Sequence, residues 1–240
     1  MKKYENMEYP KELVKSIKEG KSLLKLKRFD DVEKLLEPYM YCYDDNLDLL
    51  NAIVHAYMIN QEYEKAIPTL VRILELTQDD NQKNITIINL AMVLRIKDKA
   101  NGAIKLLWKL LDQNNQNPVI YSELGLCYNK LNKPDIAEKH IIKSISLLKR
   151  DSTNRELVYL SAAEFYEDKQ DFQKAIHYTE KALNTDPINM NGLQCMADCY
   201  FNMEKYDEAK PYYKKVLNYY PNTTQSNWAL EQLTRCDEFK

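Results

Sequence analysis

Glycine is nearly absent from this chain, with four residues in 240. That excludes a glycine-rich phosphate cradle of the kind nucleotide-binding folds need. Histidine is scarce too: His55, His140 and His177 share no spacing that would suggest a metal or nucleophile constellation. The five cysteines are odd in number and show no secreted-type framework, so they read as reduced thiols in a cytoplasmic setting. Charge of one sign is lacking. The net charge is −2 and the isoelectric point is near 6.0, so neither a nucleic-acid stripe nor an anionic-membrane patch is expected. No run reaches the roughly 18 to 20 apolar residues of a membrane helix. The start, Met1 to Leu13, carries charge throughout and has no apolar segment, which argues against a signal peptide. Sequons at Asn84 and Asn222 would matter only after secretion.

What the chain does have is a repeat. Its clearest copy is Tyr121-x2-Leu124-Gly125-x2-Tyr128 followed by Ala137 and Ile141. The same frame returns as Tyr159, Ala162, Ala163, Tyr166 and Ala175, then as Leu193, Met196, Ala197, Tyr200 and Ala209. Upstream it gives Leu50, Ile53, Val54, Tyr57 and Ala66, then Ile87, Leu90, Ala91, Leu94 and Ala103. Aligned on these places, six units start at residues 13, 47, 84, 118, 156 and 190, with spacings of 34, 37, 34, 38 and 34. The two longer intervals hold polar insertions, Asn81 to Lys83 and Ser152 to Arg155. A fixed period of this length signals stacked copies of one supersecondary unit.

Within a unit, apolar residues at the fourth, seventh, eighth and eleventh places fall on one helical stripe. A second stripe through Ala137, Ile141, Ser144 and Ile145 makes each unit a helix pair. The eighth and twentieth places should face each other where the two helices cross. Gly20 and Gly125 stand at the eighth place, and Gly costs about 1 kcal/mol relative to Ala in a helix, so close packing is the expected return. Pro134, after the polar break Asn129 to Lys133, suits a first helical turn. Pro68 and Pro211 fall inside second helices, where each should bend its helix slightly.

The pattern resembles the tetratricopeptide repeat (TPR) family and covers about 210 of the 240 residues. The resemblance implies an all-α fold: one solenoid domain over 1–240 of antiparallel helix pairs wound as a right-handed superhelix. The repeats are 13–46, 47–80, 84–117, 118–151, 156–189 and 190–223, with a capping helix at 224–240. Ser16, Glu19 and Val32 depart from the pattern in the first unit and suit a polar-faced N-terminal cap. In the last helix Trp228, Leu230 and Leu233 are expected inward, with Glu231, Arg235 and Glu238 outward.

Nothing in the sequence composes a catalytic site, so no enzymatic activity and no cofactor are expected. Cys195 and Cys199 lie four apart on a helix, which can align two sulfurs, but a metal needs two further ligands and the sequence nominates none. They read as ordinary half-buried thiols. The tyrosines at the eleventh place, Tyr57, Tyr128, Tyr166 and Tyr200, read as core.

In the family, first helices line a groove that receives an extended peptide or a partner helix. Taking about 100° per residue, the second, fifth, ninth and twelfth places lie about 130° from the buried stripe. These places hold Asn51, His55 and Met58, then Ile88, Met92 and Arg95. They continue with Ser122, Leu126 and Asn129, then Leu160, Glu164 and Glu167, then Gln194, Asp198 and Phe201. Asn89, next to Ile88, is counted with them as a partner-binding candidate. Asparagine suits backbone amides, and Met or Phe suits apolar anchors. Some relatives hold a C-terminal carboxylate in a basic clamp. The matching places here, Asn51, His55, Asn89, Val119 and Glu123, keep the asparagines but lack the lysines and arginine, so that function is rejected. Charge is also polarised. Lys18, Lys21, Lys25 and Arg95 lie on earlier first helices, and Glu164, Glu167, Asp168 and Asp198 on later ones, which would steer a ligand with one acidic and one basic end.

The reading is a non-enzymatic scaffold or adaptor that binds another protein or peptide, with no nucleic-acid or membrane partner. The alternatives are a secretion or assembly chaperone, and a structural protein that forms homo-oligomers through the apolar edges of the array.

Overall fold

The computed structural model describes residues 9–112, 116–149, 152–221 and 223–238. Residues 1–8, most of the segment weighed above as a leader, lie outside that set, as do the sequon at Asn222 and the last two residues of the expected capping helix. Every regular element among the described residues is an α-helix. The fold is an all-α helical repeat.

Two compact units are present, residues 1–83 and 84–240. The first holds α1 (Lys11–Lys25), α2 (Phe29–Met40), α3 (Leu47–Ile59) and α4 (Tyr63–Leu76). Helix α5 (Asp80–Ile96) begins at the boundary. The second unit continues with α6 (Ala100–Leu111), α7 (Pro118–Lys130), α8 (Pro134–Ser146), α9 (Arg155–Asp168) and α10 (Phe172–Leu183). Helices α11 (Met190–Asn202), α12 (Tyr206–Tyr219) and α13 (Thr224–Glu238) complete it.

One backbone device ends every first helix. Lys27, Gln61, Asp98, Asn132, Gln170 and Glu204 all adopt left-handed φ values, from 55° to 61°. Each is the fifteenth residue of its unit, so they recur at the spacing of the sequence repeat. In each turn the next N–H donates back five residues to the eleventh-place carbonyl, from Arg28 to Leu23 through Lys205 to Tyr200, at 2.8–3.0 Å. This is a Schellman cap, which satisfies carbonyls that the helix end leaves free. Glycine usually fills the left-handed position; here an ordinary side chain does so six times. Asparagines supply N-caps in the same repeating way. Asn46 Oδ1 accepts from Leu49 N–H at 2.9 Å and Asn189 Oδ1 from Gly192 N–H at 2.9 Å. Asn117 caps α7 ahead of Pro118, its Oδ1 accepting from Val119 N–H at 3.0 Å.

The helices of each pair cross at small residues, as expected. The twentieth-place residues Val32, Ala66, Ala103, Ala137, Ala175 and Ala209 are all fully buried. At Gly125 a Cβ would stand 2.8 Å from Ile141 Cδ1 and 3.1 Å from the Ala137 carbonyl oxygen. Above the crossing, eleventh-place tyrosines lie parallel to an aromatic ring of the second helix. Tyr128 faces His140 at 5.3 Å, Tyr166 faces Tyr178 at 5.6 Å and Tyr200 faces Tyr212 at 5.9 Å. These offset stacks explain why tyrosine recurs at that place.

In the second unit the core runs as overlapping clusters. Leu107, Ile120 and Leu124 form one. Leu126, Ala137, Ile141, Phe165 and Tyr166 form the next. Leu193, Ala197, Tyr213 and Val216 close it with Ala229 and Cys236 of α13. Truncating a fully buried leucine such as Leu107 or Leu124 would cost about 2–5 kcal/mol.

In α1 the buried face is Leu13, Ile17 and Gly20. Glu19 is exposed, and the Ser16 hydroxyl donates to Tyr39 Oη at 3.2 Å. Proline stands inside α4 and α12 at Pro68 and Pro211, and inside α2 at Pro38. The last helix corrects one expectation. Leu230 is 57% exposed. The face of α13 that packs inward is Gln225, Ser226, Ala229, Gln232 and Cys236, with Trp228 half-buried at its edge. Trp228 and Leu233 pack inward and Glu231, Arg235 and Glu238 are exposed, as expected; Leu230 alone is displaced, and amides and hydroxyls fill the rest of the buried face.

Candidate functional site

The sequence places its candidates on first helices: α3 in one compact unit, and α5, α7, α9 and α11 in the other. On α3, Asn51 is half-buried. Its Nδ2 donates to the Leu47 carbonyl at 2.8 Å, and its Oδ1 accepts from Gln82 Nε2 at 3.1 Å. His55 is exposed beside Phe29, with ring centroids 5.9 Å apart, and Met58 is half-buried.

In the second unit three candidates lie below the surface. Ser122 and Leu126 are buried in α7, and the Ser122 hydroxyl donates to the Val119 carbonyl at 3.0 Å. Arg95 is buried as well, where a solvated cation was expected. Its Nε donates to Glu123 Oε2 at 3.3 Å and its Nη1 to Glu164 Oε1 at 2.7 Å, joining α5, α7 and α9. Burial works against the Arg95 charge, and the two carboxylates more than offset it, so the guanidinium stays cationic. Burial raises the Glu123 pKa, with Arg95 opposing. Arg95 is therefore a structural counter-ion, and it drops out of the basic end expected of this surface, whose lysines Lys18, Lys21 and Lys25 are exposed on α1. Glu123 was missed as a participant. Its signal in the sequence is a charge in the middle of the run Val119 to Leu126, all buried apart from half-buried Tyr121.

The remaining candidates are half-buried: Asn89, Met92, Asn129, Glu164, Glu167, Gln194, Asp198 and Phe201. Asn129 Nδ2 donates to Asp168 Oδ2 at 2.7 Å, linking α7 to α9. Asp198 Oδ1 accepts from the Tyr213 hydroxyl at 3.1 Å. Phe201 packs edge-on to Tyr206 at 5.3 Å, with the Arg235 guanidinium 5.0 Å above its ring.

Two carboxyls here are out of their ordinary range. Burial, with the charges of Asp168 and Glu164, pushes Glu167 up to about 6 despite a hydrogen bond from Cys195. Burial and then Glu167 push Asp198 up to about 7, against the hydrogen bonds from Tyr213 and Gln194. No lysine or arginine contributes to either group. Helices α9 and α11 thus hold Glu167 and Asp198 partly out of water with no cation set against either. Such a surface favours cationic and hydrogen-bond-donating groups.

The family follows from comparison. The model of the tetratricopeptide repeat protein 21 ARM repeat matches residues 48–216. The chain is a member of the TPR-type helical-repeat family. Among curated relatives of this TPR protein, a stretch of 120 residues is 29% identical to the O-mannosyl-transferase Tmtc3 of Drosophila melanogaster, covering 50% of this chain and 12% of that protein. A stretch of 122 residues is 33% identical to the mitochondrial tetratricopeptide repeat protein 19 homolog of the same species, covering 48% of this chain and 33% of that protein. The TPR chain therefore spans a third or less of either relative. Among solved structures, a chain of the APC/C hetero-tetramer Cut9-Hcn1 superposes with a TM-score of 0.59 at 16% identity, over 95% of this chain and 43% of that one. The type IV pilus biogenesis factor PilW superposes with a TM-score of 0.53 at 12% identity, over 92% and 100%. These two likenesses establish the TPR fold. No helix among the described residues is long and apolar enough to cross a membrane.

Proposed function

We propose that this TPR protein is a non-enzymatic interaction scaffold. Its partner is a protein segment carrying lysine or arginine, received on the first helices α9 and α11 with Asn89, Met92 and Asn129 alongside. One observation carries the reading: burial and neighbouring carboxylates, Asp168 and Glu164 for Glu167 and Glu167 itself for Asp198, hold the two acids protonatable near neutrality, with no lysine or arginine opposing them. A folded chain keeps such a strained pair only against a cost in stability, and an arriving cation relieves it. The proposal also places the protein in a reducing, cytoplasm-like compartment, in keeping with five free cysteines.

The test pairs Glu167→Gln with Asp198→Asn, which keep shape and acceptor oxygens while removing both ionisable carboxyls. Association of a fluorescent lysine-rich peptide, and of proteins captured from source-cell lysate, is compared for wild type, this double variant and a control at the exposed Asp135→Asn. The reading requires at least tenfold weaker binding in the double variant, steeper at low salt, with the control unchanged. Equal binding by all three would remove it. A mass that rises with concentration in the absence of any partner would favour self-association instead.

A further inference from the structure

Cys195 and Cys199, four residues apart on α11, point their sulfurs to one side of that helix, as the spacing dictates. The sequence supplied no further ligand, but the fold does. Glu167, near the end of α9, brings a carboxylate oxygen to the same point, and the oxygen and both sulfurs lie within 4.8 Å of one another. Both thiols are buried and unpaired, and Glu167 is half-buried. Ligand atoms around a tetrahedral zinc-type ion, with Zn–S near 2.3 Å, sit about 3.5–3.8 Å apart. Side-chain rotations alone would close the gap.

We propose that Glu167, Cys195 and Cys199 form a binding site for a thiophilic divalent cation of the zinc class, clamping α9 to α11. The donor chemistry fits such an ion and no hard one: two thiolates and one carboxylate carry three negative charges, which Mg²⁺ or Ca²⁺ would not select. On binding, each thiol loses its proton to solvent and each sulfur forms one bond to the metal, so two protons leave per ion bound. Hydrogen bonding with Cys199, and then burial, raise the Cys195 pKa in the metal-free chain. The ion's charge supplies what a thiolate otherwise lacks there. A second shell is already in place. Thr179 Oγ1, on α10, lies 3.2 Å from Cys195 Sγ; its proton goes to the Ala175 carbonyl at 2.8 Å and would turn to the sulfur once that is a thiolate, fixing its direction. Three protein ligands leave a fourth position for water or for a group from a bound partner.

This inference needs no peptide on the surface, and its test uses the full chain without one. Co²⁺ is titrated into the reduced protein, and the sulfur-to-cobalt charge-transfer band in the near ultraviolet is followed together with proton release. The expected result is one ion per chain, a band with the intensity of two thiolates, two protons released, and displacement of cobalt by zinc. Cys195→Ser and Cys199→Ser should each abolish the two-thiolate band. Glu167→Gln should weaken binding by at least the roughly 10- to 100-fold that loss of an outer partner costs at metal sites. Cys42→Ser, at the exposed thiol, should change nothing. Far-ultraviolet circular dichroism confirms that each variant is folded, and Cys195→Ala and Cys199→Ala replace any serine variant that is not. Zinc should also raise the melting temperature of wild type and of Cys42→Ser alone. No band at a tenfold excess of cobalt would overturn the proposal. So would a band that survives both cysteine substitutions or disappears with Cys42.

Discussion

Arg95 Nη1 donates to Glu164 Oε1 at 2.7 Å across 69 positions of chain, from a guanidinium that also serves the buried Glu123. Three consecutive first helices share that one cation. Removing it leaves Glu123 buried without a partner, which costs about 3–5 kcal/mol. Arg95→Met is therefore expected to lower the urea midpoint strongly, and Arg95→Met with Glu123→Gln to recover much of the loss. Equilibrium unfolding followed by circular dichroism decides it: a single-variant loss below about 1 kcal/mol would contradict the buried pair.

Acidity near α11 gives the second prediction. An acid whose pKa is raised by folding binds its proton more tightly in the folded chain than in the unfolded one. Its contribution favours folding at low pH and is lost as pH rises from about 4 through about 6 for Glu167 and about 7 for Asp198. Asp198→Asn should flatten that fall and stabilise the protein at pH 8 by about 1–2 kcal/mol. That figure is well below the full value of the shift because water screens a half-buried group. Melting temperatures of both proteins between pH 5 and pH 8 provide the check, and parallel curves would contradict it.

Two glycines should respond with opposite sign. Gly125→Ala drives a methyl to 2.8 Å from Ile141 and 3.1 Å from a backbone oxygen, so a loss of about 1–3 kcal/mol is expected. Gly102→Ala meets only Leu94 Cδ1 at 3.9 Å and should gain about 0.5–1 kcal/mol. Thermal melts of the two variants settle both signs together.

The left-handed turns offer a stabilisation series. Gln61, Asp98, Gln170 and Glu204 each hold an L side chain at positive φ. Glycine there should add about 0.5–1 kcal/mol apiece, the strain relieved less the entropy that glycine itself loses. Asn132→Gly should gain least, since asparagine tolerates this conformation. A uniform absence of effect would show the turns to be unstrained.

The repeat was legible because burial at helix crossings repeats. Gly125 against Ala137, and Tyr128 three residues on, write the packing directly into residue size and spacing. The helix ends were legible only in part. A Schellman cap is a backbone conformation, and with Lys27 or Gln170 in place of glycine the residue type conceals it. The site was read less well than the fold. Arg95 on a first helix looks the same in sequence whether water or Glu123 surrounds it, and the angular rule placed Ser122 and Leu126 at a surface that neighbouring helices cover. Glu167 and Cys195 come together from different helices, a distance no single-helix pattern contains. Part of the inward face of α13 escaped because Gln225, Ser226 and Gln232 are polar residues in buried places.

Helix α13 has a meaning beyond burying Ala229 and Cys236. Trp228 meets Tyr213 edge-on at 5.4 Å, covering the side of the α11–α12 pair where another repeat would otherwise sit. That covering makes α13 the guard of an apolar seam: peeled away, it would bare Tyr213 and Val216 to water, and the α11–α12 pair would need another surface to lie against.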